Sequence, residues 1–261
     1  MIKKQLLAVR VNNSFLALSI FSILLSVNCF AQEKIVFGSY KIPLMVVDEQ
    51  NGVFVELVKT IAKRANLNTD IVIYPVKRTI KKFLNKKIDV LFPAVDAFFT
   101  KSTNPLKSSE FIYVKTDFTF TKKGEKLLKT LPDLKGKRVG ITLGYKYDDA
   151  LINDSAISFD IALSDHVNAK KLVRGNIDAF VVEEKSGLKA FSDLGFIDKI
   201  QYDKYTPLSK KDVYLAFQNN EEGKKLSLTV SNILKEMKQD GTFERIMTPV
   251  KDPEWQSAAT P

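Results

Sequence analysis

The chain has 261 residues, 27% charged and 45% hydrophobic, with 11 Gly and 9 Pro. That balance excludes disordered, collagenous and low-complexity classes, and the length allows one large or two medium domains with a core that needs no covalent staple. Lys and Arg total 40 against 30 Asp and Glu, a formal net charge of +10; a single Cys rules out an internal disulfide or a thiolate zinc site, and a single His rules out multi-His metal or catalytic clusters.

The chain opens on Lys3, Lys4 and Arg10, with no acid before Glu33. Residues 15–27 are uncharged and mostly apolar, and Cys29-Phe30-Ala31 is a small-x-small triplet. This three-part layout is that of a secretory signal peptide over 1–31. The apolar run is short of the ~20 residues a membrane span needs. Lipidation at Cys29 is disfavoured, because Asn28 stands where a small residue is wanted. Removing 1–31 takes three bases, no acid and the only Cys, so +10 becomes +7. A thiol-free exported chain suits the periplasm, the expected location. The bases are scattered at helix-like positions such as Lys81, Lys82, Lys86 and Lys87, a solvated surface rather than a nucleic-acid face.

Beyond the leader, strand-like and helix-like runs alternate. Residues 34–38 predict a strand, 53–65 an amphipathic helix, 70–74 a strand stopped by Pro75, 78–85 a short basic helix and 88–92 a buried strand. The pattern recurs with strands at 138–142, 157–163 and 177–182, and helices at 145–152 and 168–173, the latter capped by Ser164 or Asp165. "KKIDVLF" at 86–92 and "GNIDAFV" at 175–181 echo one another, each putting Ile-Asp at a strand entrance after a basic helix. Two copies so far apart indicate two similar α/β lobes rather than a repeat array. The extended stretches 113–122 and 212–218 predict two crossings between the lobes, and 223–238 a long amphipathic helix. The division expected is lobe 1 over 32–118 plus 215–250, lobe 2 over 119–214, and a tail at 251–261. A two-strand hinge lets such lobes close on a ligand between them.

Five segments resemble the bacterial extracellular solute-binding proteins of family 3, periplasmic receptors for polar amino acids. The most specific is "LPDLKGKRVGITLG" at 131–144, similar to the family's opening of the second lobe. "NGVFVELVKTIAKRANL", "KKIDV", "GNIDAFVVEE" and "LKEMKQDGTFERIM" follow the family's order over residues 33–248. The resemblance implies a two-lobed type II periplasmic-binding-protein fold. It also implies a non-enzymatic, monomeric receptor that binds a small polar, carboxylate-bearing solute and delivers it to the membrane permease of an ABC importer. No cofactor and no metal are implied.

Residue by residue, the resemblance puts Tyr40 at an aromatic pocket wall and Gly144-Tyr145 at a helix start whose free N–H groups attract an anion. Glu183 falls where the family's acid meets the ligand ammonium, with Glu184 pointing the other way along the strand. The Arg that normally grips the ligand carboxylate is missing from 93–111, where Lys101 is the nearest base. Arg78, in "YPVKRT" after the strand at 70–74, offers compensation at a strand's carboxyl end. The alternatives are a sensor subunit that docks on a membrane signalling protein, or a dehydratase on the same fold using Glu183 and Lys101.

Overall fold

The computed structural model describes residues 34–251. The expected leader at 1–31, with Cys29, and tail residues 252–261 lie outside the described residues. In chain order the elements are β1 (Ile35–Ser39), α1 (Val53–Arg64), β2 (Thr69–Ile73), α2 (Val76–Leu84), β3 (Val90–Ala94), β4 (Leu106–Lys107) and β5 (Tyr113–Lys122). There follow α3 (Leu131–Leu134), β6 (Arg138–Thr142), α4 (Asp149–Ile152), β7 (Ser158–Ala162), α5 (Asp165–Val173), β8 (Ala179–Glu183) and α6 (Glu184–Asp193). The described residues end on β9 (Ile200–Gln201), β10 (Ser209–Phe217), α7 (Glu221–Gln239) and α8 (Thr242–Lys251).

The strands run in the order β2-β1-β3-β10-β5-β8-β6-β7. Within each half the neighbours are parallel: β1 with β2 and β3, and β6 with β7 and β8. β5 and β10 join the halves. The first part of β5 pairs antiparallel with β10 and its second part with β8, while the far end of β10 pairs with β3. These are the two crossings expected at 113–122 and 212–218.

Apolar periodicity builds each half. α1 buries Val53, Phe54, Leu57, Val58 and Ile61 on one face, each worth roughly 1.5–3 kcal/mol of transfer free energy. They join one core with Phe37, Phe92, Leu234 and Ile246, and a second cluster around Phe83, Ile88 and Tyr214 covers the other side of that sheet. The other half is built the same way, with one cluster around Phe120, Phe180 and Phe191 and another around Leu134, Val139 and Leu151.

The Ile-Asp echo has one structural meaning in both halves. Asp89 N–H donates to Val36 O at 2.9 Å and its carboxylate accepts Val36 N–H at 2.8 Å. Asp178 does the same to Arg138, at 2.8 Å in both directions. Each Asp therefore fastens the entrance of its strand to the first strand of its lobe.

Three local expectations are corrected. The helix expected over 145–152 is only Asp149–Ile152, capped by Asp148, whose side chain accepts the Ala150 N–H at 2.9 Å. Residues 145–148 stay irregular because both tyrosines turn inward. Tyr147 accepts the Thr142 N–H at 2.8 Å, and Tyr145 packs against the cores of both halves. Glu184 is not on a strand but opens α6. The basic helix α2 starts two residues earlier than expected, directly after Pro75. Of the two candidate caps for α5, Ser164 takes the role, accepting Val167 N–H at 3.4 Å.

Candidate functional site

The carboxyl ends of the parallel strands from both halves face one another, the place where open α/β sheets bind ligands. The loop after β1 brings Tyr40 and Ile42, and the loop after β2 brings Tyr74 and Val76. Opposite them stand Thr142 and Tyr145 after β6, and Leu163 and Asp165 after β7. Between these walls lies an open chamber of about 1290 Å³. Behind Tyr40 and Tyr145 a much smaller pocket of about 50 Å³ reaches Tyr113, Lys115 and Glu183.

Tyr40 is buried, donates its hydroxyl to Pro93 O at 3.2 Å and meets Phe98 edge-on at 6.0 Å. Burial pushes its phenol well above the usual range, so the ring serves as a neutral wall for both spaces. Gly144 sits at φ 86°, and a Cβ there would lie 3.1 Å from Val76 Cβ of the other lobe. Both the left-handed backbone and the close approach of the lobes demand glycine. Since the helix begins four residues later, Gly144-Tyr145 offers no helix N-terminus for an anion, and that expectation is withdrawn.

Glu183 is buried at the end of β8, where it caps α6. One carboxylate oxygen accepts Tyr113 OH at 2.6 Å and Lys185 N–H at 3.1 Å; the other accepts Ser186 N–H and Ser186 Oγ–H, both at 2.8 Å. Burial raises its pKa, opposed by these four bonds. Tyr113 in turn is held protonated by burial and by the neighbouring Glu183 charge. Beside them Lys115 pairs with buried Asp117 and stands 5.5 Å over the Tyr147 ring.

Arg78 is exposed on α2, outside the residues lining either space, with its guanidinium 4.9 Å over the Tyr74 ring. Lys101 lies in an exposed 3₁₀ turn, Lys101–Thr103, also outside both walls. The structure thus brings together Tyr40, Gly144, Tyr145 and Glu183, and leaves Arg78 and Lys101 apart from them. Asp165 escaped sequence reasoning as a wall residue, because an acid behind a serine at a helix start reads as a cap. It is 2% exposed, accepts Thr142 Oγ–H at 2.5 Å and Tyr145 OH at 3.2 Å, and has its carboxyl pushed up to about 6 by burial. Among the described residues no group of His, Cys, Asp and Glu is arranged to hold a metal ion.

Two α/β lobes joined by two strands, with a chamber at the strand ends of both, define the two-lobed type II periplasmic-binding-protein fold. The chain belongs to the bacterial extracellular solute-binding proteins, family 3, whose model matches residues 35–249. A Vibrio harveyi protein named as an amino-acid ABC transporter-binding protein, PatH, is 28% identical over 137 residues. That match covers 48% of this chain and spans half the length of the Vibrio protein. Among solved structures, the P235GK mutant of ArgBP from T. maritima superposes with a TM-score of 0.68 at 22% identity, over 84% of this chain and 95% of that one. The GluR0 ligand-binding core from Nostoc punctiforme, in complex with L-glutamate, gives 0.69 at 19% identity, over 82% and 97%.

Proposed function

We propose that this protein is a periplasmic receptor that binds a small polar solute between its lobes, closes over it and delivers it unchanged to the membrane permease of an ABC importer. The solute in this reading is an amino acid or a related carboxylate-bearing molecule. The observation that carries it is the chamber itself, walled on both sides by strand ends of a family built for solute binding. PatH is named for amino acids and transport, and the GluR0 core holds L-glutamate, which supports the solute class. Tyr40, Gly144, Tyr145 and Glu183 form or brace the walls. Arg78 steadies the Tyr74 ring, and Lys101 has no part in the reading.

A thermal-shift screen of the purified protein against amino acids, small carboxylates and amines tests it. A ligand at one hundred times its Kd adds about 2.7 kcal/mol to folding stability. At least one solute is expected to raise Tm and to leave the medium unaltered in composition. A flat response across the whole screen, or turnover of the solute, contradicts the proposal. A deletion strain that keeps uptake but loses a cellular response would place the protein with a membrane sensor instead.

A further inference from the structure

Asp165 lies in the wall of the larger chamber, yet none of the ion pairs among the described residues includes it. Its two hydrogen-bond donors are the neutral hydroxyls of Thr142 and Tyr145. Thr142 is itself oriented, because its hydroxyl accepts Asn168 Nδ2–H at 3.2 Å. The adjacent base, His166, has its ring engaged with Asp193 at 3.0 Å. A buried carboxylate without a counter-charge is costly, and the cost is relieved when a cation arrives.

The other charged groups of the chamber are already spoken for or lie at its edge. Lys189 pairs with Asp193, Glu56 with Arg245, and Lys59 bonds Gln50, while Lys41 and Lys63 are exposed. The chamber is therefore negative where it is buried and positive only at its rim. Glu183, the acid expected to meet an ammonium, has all four of its acceptor positions filled by protein donors. The space in front of it is the 50 Å³ pocket behind Tyr145, too small for a whole solute.

We propose that Asp165, not Glu183, anchors the ligand, and that the solute carries an ammonium or guanidinium group seated between Asp165 and the Tyr145 ring. An acidic end, where the solute has one, points outward toward Lys41 and Lys63. The cationic group gains the carboxylate in a desolvated site and the face of an aromatic ring. This inference rests on the receptor reading and names the chemistry its cleft selects.

Isothermal titration of the purified protein with agmatine, arginine, glutamate and succinate tests it, together with Asp165→Asn. Agmatine, which has no carboxylate, and arginine are expected to bind, and succinate is not. Asp165→Asn is expected to weaken agmatine about 100-fold or more, while the free variant melts at the parent temperature or above. Binding of succinate or glutamate that Asp165→Asn leaves unchanged overturns the cation assignment and leaves the receptor reading standing. So does agmatine binding equally to parent and variant. Silence from all four probes in the parent overturns the cation assignment, and silence across the wider solute screen removes the receptor reading with it. If Asp165→Asn does not fold, the parent's ranking of agmatine and arginine against succinate decides.

Discussion

Two buried carboxylates stand at strand ends of the second lobe, on either side of β6, and their surroundings assign them opposite jobs. Glu183, after β8, is ringed by Tyr113, Lys185 and Ser186 and caps α6. Asp165, after β7, is relieved of capping by Ser164 and keeps only two hydroxyl donors. A saturated acid is part of the scaffold; an undersatisfied one in a cavity wall is a recognition element. The residue type is nearly the same, and the donors around both are neutral, so the difference comes from their number, four against two.

The largest expected effect breaks the scaffold side of that comparison. Glu183→Ala removes a helix cap and orphans Tyr113 OH and the Ser186 donors, and is expected to cost about 2–4 kcal/mol in chemical denaturation. A loss under ~1 kcal/mol would show that Glu183 is not structural.

Next comes pH. Burial raises the folded-state pKa of Asp165 to about 6 from its ordinary value of 3.8. The native state therefore holds a proton that the unfolded chain has released, and stability falls as pH rises from about 4 to about 6. The expected loss is on the order of 2–3 kcal/mol, and Glu183, also raised by burial, adds to it with the same sign. Asp165→Asn should remove the Asp165 share of that slope in denaturation curves across this window; an unchanged slope would remove the buried charge from the account. A cationic ligand favours ionised Asp165, so its affinity should rise over the same window.

Gly144→Ala probes the contact between the lobes. It forces a side chain into a left-handed backbone 3.1 Å from Val76 Cβ, for a cost of about 1–2 kcal/mol. Arg78→Ala is expected to do least, within ~1 kcal/mol, because the side chain is exposed and stacks only on Tyr74. A large loss of ligand affinity in Arg78→Ala would move the site toward α2.

Much of the fold was legible in the sequence because alternating strand and helix periods are local signals. The Ile-Asp echo even marked equivalent ties at Asp89 and Asp178. What escaped depended on contacts distant in sequence. The helix α6 was hidden because it follows β8 with no loop, its cap being the last residue of the strand. The irregular stretch after Gly144 is set by where Tyr145 and Tyr147 find partners, in both lobes and at Thr142, which helical spacing cannot report. Asp165 was seen as a cap candidate; that Ser164 wins the cap and leaves Asp165 to the chamber is decided only when β6 brings Thr142 and Tyr145 alongside.

The most direct measurement is an amide NMR titration of the labelled protein with arginine. Shifts concentrated at 142–145 and 163–166 on one lobe and at 40–42 and 74–76 on the other are the predicted result. Saturable binding that perturbs only residues away from these facing walls would contradict the account.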